Sequence, residues 1–278
     1  MRFLLTSAGI SNPSIHHALV ELLGKPIAES NALCIPTAIY ATPDGAGAAW
    51  RLINGRAASP LCELGWKSLG VLELTALPSL KEEHWVPRLQ EMDALLVGGG
   101  DCLYLCYWMR QSGLADLLPS LRRETVYVGV SAGSMVVTPT ARRTLAVNWG
   151  DTYDSLNPSA GGDRALGMVD LSLLPHLDGA NPENSLANLE RVAATMPAPA
   201  YAIDDETAIK VTTEALKSFP RGTGSFLPPD ASRLSGFARE ACRLMVRQWL
   251  GWPATAPGRS SAGEPAINVA GCEEGGCG

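Results

Sequence analysis

The sequence predicts an α/β fold, a mostly parallel sheet with helices on both faces. Three observations carry that expectation. Short apolar runs alternate with helical patterns through the first two-thirds of the chain. Most of these runs are apolar at consecutive positions, as strands buried on both faces are. Several end in glycine-rich loops or in residues equipped for chemistry, and such loops gather at the carboxyl ends of parallel strands. The chain has 278 residues, 46% of them hydrophobic and 18% charged, which is enough apolar material for a sizeable core.

Phe3-Leu4-Leu5-Thr6 reads as the first strand. Asn12-Pro13 then supplies an N-cap and a proline at the first helical position. Ile15, Leu19, Leu22 and Leu23 mark one helical face, and Gly24 is a C-cap. Ala32–Pro36 reads as a second strand and Leu69–Leu74 as a third, and Glu82–Met92 is expected to be helical. Ala94-Leu95-Leu96-Val97 is a continuous apolar strand ending in Gly98-Gly99-Gly100, with a helix expected from Asp101. Val126–Val130 ends in Ser131-Ala132-Gly133, and Val169–Leu174 leads into Pro175-His176. A helix over Asn184–Ala194 precedes a strand at Ala200–Ile203. Four strand ends therefore carry Gly98–Gly100, Ser131, His176 and Asp204–Glu206.

Net charge is −6 and the pI about 5.3. No Lys/Arg run exceeds two residues (Arg122-Arg123, Arg142-Arg143). This argues against nucleic acid and anionic membranes as partners, since both reward clustered basic residues. The apolar stretch of MRFLLTSAG is too short for a signal-peptide core, and no run approaches a membrane span. A soluble, cytoplasmic protein is expected. The seven cysteines are scattered and odd in number, which is not a disulfide framework. Cys102 and Cys106 have helical i,i+4 spacing but no third and fourth ligand for zinc, so neither a metal nor a cofactor is expected.

Gly129-Val130-Ser131-Ala132-Gly133 matches G-x-S-x-G between an apolar strand and a small-residue stretch able to start a helix. That is the setting of a nucleophile elbow. Its tight turn exposes the hydroxyl and leaves no room for side chains. A serine nucleophile needs a base. Of the four histidines, His16 and His17 fall in the first helix and His84 in a charged helical stretch. Only His176 follows an apolar strand, so it alone is placed at the same sheet edge as Ser131. The base needs an orienting acid. Asp204, Asp205 and Glu206 close the next strand; Asp151, Asp154 and Asp163 precede the histidine, and Asp178 is too near it in sequence. The residues alone do not choose among the three adjacent acids. Backbone N–H groups of Gly98–Gly100, with that of Ala132, are suited to an oxyanion hole. The glycine run lacks the spacing of nucleotide-binding loops.

These motifs resemble the peptidase E and cyanophycinase family of serine peptidases, on the class I glutamine amidotransferase-like fold. The resemblance covers residues 1–212 and rests on the Gly-Gly-Gly-Asp stretch at 98–101, the elbow at 129–133, Pro175-His176, and the acidic cluster before Thr207-Ala208-Ile209. It implies Ser131 as nucleophile, His176 as base and Asp205 as third member, where relatives often carry Glu. It implies backbone donors at Gly99 and Ala132, and a small peptide substrate. Peptidase E cleaves dipeptides with Asp before the scissile bond, and such a pocket needs a cation, because a lone buried carboxylate is costly. Arg142 is the best-placed candidate, with Asp101 a second substrate-binding candidate. Cyanophycinase-like or esterase activity, or a non-catalytic binding role, are the alternatives. A glutamine amidotransferase would carry Cys at the elbow. Assembly into a homo-oligomer is left open.

Two regions are expected: a catalytic α/β domain over 1–212, and a divergent, poorly ordered tail over 213–278. The tail is rich in Pro, Gly, Ser and Arg, with one helix expected over Ala238–Leu250. Relatives close with a further strand, a pattern absent from Lys217–Pro229. One codon choice for that stretch, read one base earlier, gives Glu-Val-Val-Ser-Glu-Gly-His-Trp-Lys-Leu-Phe-Thr-Pro, which resembles the missing strand. The tail is therefore expected to arise from a reading-frame shift.

Overall fold

The computed structural model describes residues 1–140, 164–196 and 198–212, with the backbone of 224–227 and 268–269. Arg142, Asp151, Asp154, Asp163 and the helix expected over 238–250 lie outside the described residues.

Five strands run parallel in the main sheet: β1 (Arg2–Thr6), β2 (Asn31–Ile35), β3 (Ser68–Val71), β4 (Ala94–Val97) and β5 (Val126–Val130). Their order is β1-β5-β4-β2-β3, so the two strands preceding Ser131 and the glycine run are neighbours. Two further strands, β6 (Ser172–Leu174) and β7 (Ala200–Ala202), pair parallel in a small sheet of their own. Strand β8 (Ala208–Val211) returns to the main sheet, antiparallel to β1. Beyond residue 212, β9 (Gly224–Leu227) pairs antiparallel with β8, and β10 (Asn268–Val269) pairs parallel with β9. The sequence reading placed no strand at either segment.

Strand alternation divides the core into two layers. Phe3, Leu5, Leu95, Val97 and Tyr127 face one side, and Leu4, Ala94, Leu96, Val126 and Val128 the other. All ten are fully or almost fully buried, which explains the unbroken apolar runs. The first layer is closed by α4 (Cys102–Gln111), α5 (Leu114–Leu117) and α6 (Ala132–Met135), with the short α3 (Val86–Gln90) at its margin. The second is closed by α1 (Pro13–Leu23) and α2 (Gly45–Ile53). Helix α7 (Leu186–Ala193) packs against the small sheet through Leu189 and Ala193. The predicted α/β architecture, a mostly parallel sheet covered on both faces, is the one observed.

Helix α1 starts as its sequence requires. The Asn12 side chain accepts from the Ile15 N–H at 3.0 Å, and Gly24 closes the helix by donating to Val20 O at 2.9 Å. The stretch expected to be one helix over 82–92 is a 3-10 turn at Glu82–His84 followed by α3. Pro87 sits at the start of α3 and lacks the N–H that would join the two. Among the described residues no helix is long and apolar enough to cross a membrane.

Candidate active site

Two pairs of parallel strands build the site. In the main sheet Thr6 of β1 is in register with Val130 of β5, so Ser7 and Ser131 leave adjacent strands at the same level. In the small sheet Leu174 of β6 is in register with Ala202 of β7, and His176 and Asp205 follow those two strand ends. The sequence places the histidine and its acid on strands of the same sheet as Ser131. Here the histidine follows β6 of a separate two-stranded sheet, and the acid lies in the loop between β7 of that sheet and β8 of the main one.

The elbow is held from three directions. Thr6 O accepts from the Ser131 N–H at 3.0 Å and from the Ser134 hydroxyl at 2.8 Å. Ser134 Oγ in turn accepts the Thr6 N–H at 2.9 Å. From within the core, the Tyr127 hydroxyl donates to Gly133 O at 2.7 Å. Ser131 itself has φ 50 and ψ −109, backbone that a residue with a Cβ adopts only when its surroundings impose it. The glycines of the motif are steric requirements. A Cβ at Gly129 would lie 2.7 Å from the Gly133 backbone, and one at Gly133 would lie 2.2 Å from Val97 O.

Four polar groups converge at this rim. Ser131 Oγ lies 2.9 Å from His176 Nε2, and His176 Nδ1 lies 2.6 Å from Asp205 Oδ1. Ser7 Oγ, fully buried, donates to the same Asp205 oxygen at 2.6 Å and accepts the His176 backbone N–H at 2.9 Å. The structure therefore brings together Ser131, His176 and Asp205. His16, His17 and His84 are exposed elsewhere.

Of the three adjacent acids, Asp205 is the one bonded to His176. Asp204 is occupied within its own turn, where Oδ1 accepts from the Glu206 N–H at 3.1 Å and the Thr207 hydroxyl at 2.6 Å. The acid loop is tied to the start of α1. The Ser11 hydroxyl donates to Asp205 O at 2.8 Å and Asn12 Nδ2 to Glu206 O at 2.7 Å.

Gly99 lies against Ser131, since a Cβ there would stand 3.3 Å from Ser131 Cβ. Among the described residues, neither the Gly99 amide nor the Ala132 amide is spent on a backbone carbonyl. Asp101 caps α4, its Oδ1 accepting the Tyr104 N–H at 2.8 Å. Burial pushes its carboxyl above the usual range, against the opposing pull of the Tyr104 and Leu103 amides. Cys102 and Cys106 lie on the buried face of α4, with sulfurs 3.6 Å from Ala132 O and Arg164 O. Sequence reasoning missed Ser7. The available signal was its position just past β1, but the value of that position depends on β1 lying next to β5.

The family model for Peptidase family S51 matches residues 3–219. Two curated relatives, each called peptidase E, come from Salmonella arizonae and Citrobacter koseri. Each is 26% identical over 170 residues, covering 61% of this chain and 65% of the relative. The match thus spans a little under two-thirds of those relatives' length. Among solved structures, a protein assigned as a peptidase E from Listeria monocytogenes EGD-e is 21% identical with a TM-score of 0.49, covering 75% of this chain and 93% of its own. A peptidase from an acI-B1 actinobacterium is 18% identical with a TM-score of 0.47, covering 76% and 83%. The family match takes in the elbow, the histidine and the acid loop in one continuous span, and on that match the chain belongs to peptidase family S51.

Proposed function

We propose that the protein is a serine peptidase that hydrolyses small peptides through an acyl-enzyme. The reading is carried by the continuous relay from Ser131 Oγ through His176, at 2.9 Å and 2.6 Å, to Asp205. In the first half-reaction Ser131 Oγ bonds to the scissile carbonyl carbon and its proton passes to His176 Nε2. The carbonyl electron pair moves onto oxygen, where the Gly99 and Ala132 amides stabilise it. As the C–N bond breaks, His176 returns the proton to the departing amine. Water repeats the sequence and releases the acid. Asp205 accepts from Nδ1–H, which holds the tautomer with its lone pair on Nε2 and stabilises the imidazolium. The chain's own groups supply every proton transfer in this scheme.

The family and the peptidase E name of its relatives support a peptide substrate. Preference for Asp before the scissile bond is the finer proposal, with Arg142 as the pairing cation. Arg142→Ala is expected to lose activity on Asp-X dipeptides relative to Ala-X; an unchanged ratio removes that assignment. The broader reading is tested by hydrolysis of a dipeptide panel with wild type and Ser131→Ala. Turnover by wild type that vanishes in the variant supports it. No turnover of any dipeptide, with esters cleaved, makes the protein an esterase.

A further inference from the structure

We propose that Ser7 is a positioning residue whose hydroxyl fixes the His176–Asp205 unit to the main sheet and thereby sets it against Ser131. This rests on the reading of Ser131 as nucleophile and His176 as its base. Ser7 Oγ stands 2.6 Å from Asp205 Oδ1, 2.9 Å from the His176 backbone nitrogen and 3.2 Å from His176 Nδ1. A serine hydroxyl has one proton to give and two lone pairs. The carboxylate can only accept, so the proton goes there, in a short charge-assisted bond. One lone pair takes the His176 backbone N–H. The other faces Nδ1, whose proton points chiefly to Asp205 at 2.6 Å. The hydroxyl's capacity is fully used, and Ser7 is 0% exposed, so solvent does not compete for it.

Topology gives this contact its importance. The nucleophile rides on the main sheet, whereas the histidine follows a strand of the small one and the acid sits in the loop that leads from β7 back to β8 of the main sheet. Ser11 and Asn12 also reach the acid loop, but they hold backbone carbonyls. Ser7 grips the Asp205 carboxylate and both the ring and the backbone of His176. It leaves β1 level with Ser131, so one strand register fixes hydroxyl and nucleophile together.

The backbone of His176 points the same way. Its φ is 61, in the left-handed region that a residue with a Cβ occupies only when held there. Its N–H is held by Ser7 Oγ, and its carbonyl accepts from the Gly179 N–H at 2.9 Å. Without the hydroxyl, the strained residue and the carboxylate lose their shared anchor, and the imidazole is free to drift from Ser131.

The test uses the full chain and a fluorophosphonate probe, which reports nucleophile activation without knowledge of the natural substrate. Ser7→Ala and Ser7→Cys are compared with wild type; the thiol is somewhat larger than the hydroxyl and only a weak donor. Both variants are expected to label about 10- to 100-fold more slowly, the penalty of misplacement by up to about 1 Å. Each should still reach one label per folded chain. With Asp-Ala as substrate, kcat should fall by a similar factor while KM stays within about twofold, because the substrate's ground-state contacts are untouched. Wild-type labelling rates in both variants overturn the proposal. A reduced labelled fraction at the wild-type rate also overturns it, since that is a folding role alone. Ser131→Ala, run in parallel, separates the two levels. If it labels like wild type, the nucleophile assignment fails and this proposal fails with it; if it is inert while the Ser7 variants are normal, only the present inference fails.

Discussion

Gly133→Ala introduces one methyl group behind the proposed nucleophile. Its Cβ would stand 2.2 Å from Val97 O, 2.9 Å from Val97 C and 3.0 Å from Gly98 O. All three are backbone atoms at the end of β4, so no side chain can swing aside. Non-bonded heavy atoms are comfortable at about 3.5 Å, so α6 must retreat from β4 by roughly 1 Å. Ser131 is the residue just before α6 and moves with it. A misplacement of about 1 Å costs about 100-fold in rate, equivalent to about 2.7 kcal/mol of barrier. Overpacking adds about 1–3 kcal/mol of destabilisation. Gly24→Ala is the control, because its Cβ meets nothing within 4 Å and only its φ of 70 is penalised, at about 1–2 kcal/mol. The assay is kcat/KM together with a thermal melt for each variant. Gly133→Ala is expected to lose about 100-fold or more, and Gly24→Ala to melt lower with normal kcat/KM. A folded Gly133→Ala within about threefold of wild-type kcat/KM would refute the steric reasoning, which predicts about 100-fold.

Four further outcomes are expected. Asp205→Asn should lower kcat by about 10³- to 10⁴-fold, as loss of the correct tautomer does, while Glu206→Gln stays near wild type; comparable losses in both would remove the singular role given to Asp205. Asp93 is partly buried, which raises its carboxyl pKa, but the Asn31 amide, Lys25 at 2.9 Å and Arg122 outweigh that and hold it below the usual range. Its stabilisation, about 1.5–3 kcal/mol for hydrogen bonds to a charged group, is therefore present above about pH 4 and lost as pH falls through the depressed value. The melting gap between wild type and Asp93→Asn should close on acidification, and a gap constant with pH would contradict this. At Asp101, Asn keeps a capping oxygen and removes a charge that burial disfavours; Asp101→Ala should cost about 1 kcal/mol and Asp101→Asn less than that by thermal melt, and equal losses would rule out the cap. Finally, sequencing the coding DNA around codons 210–220 should reveal a shifted frame, and an intact frame beside homologues with the same tail would end that explanation.

What the sequence made legible follows from how local the signals are. Strands β4 and β5 were read residue for residue because both faces of each are buried, leaving unbroken apolar runs. Helix α1 was legible from its caps, which are chemistry within a few residues of its ends. Helix α2 was not. It opens Gly-Ala-Gly-Ala-Ala, and its N-cap residue Asp44 makes no side-chain capping bond. The separate sheet of β6 and β7 was invisible because pairing partners are set by tertiary packing. At the site, Ser131 announced itself through glycines whose absent side chains meet backbone at 2.2 and 2.7 Å. The choice among Asp204, Asp205 and Glu206 came from the family resemblance. Its physical basis is a turn that occupies the Asp204 carboxylate and leaves Asp205 facing the imidazole. Ser7 carries no pattern at all, because its role depends on a register between strands that lie more than a hundred residues apart in the chain.

The most direct measurement is the site of covalent capture. The full chain is treated with a fluorophosphonate, digested, and mapped by mass spectrometry, alongside His176→Ala. One adduct per chain on the Ser131 hydroxyl, with labelling abolished or slowed at least about 1,000-fold in the histidine variant, is the predicted result. An adduct on another residue, or equal labelling with and without the imidazole, would contradict the assignment of Ser131 as a nucleophile activated by His176.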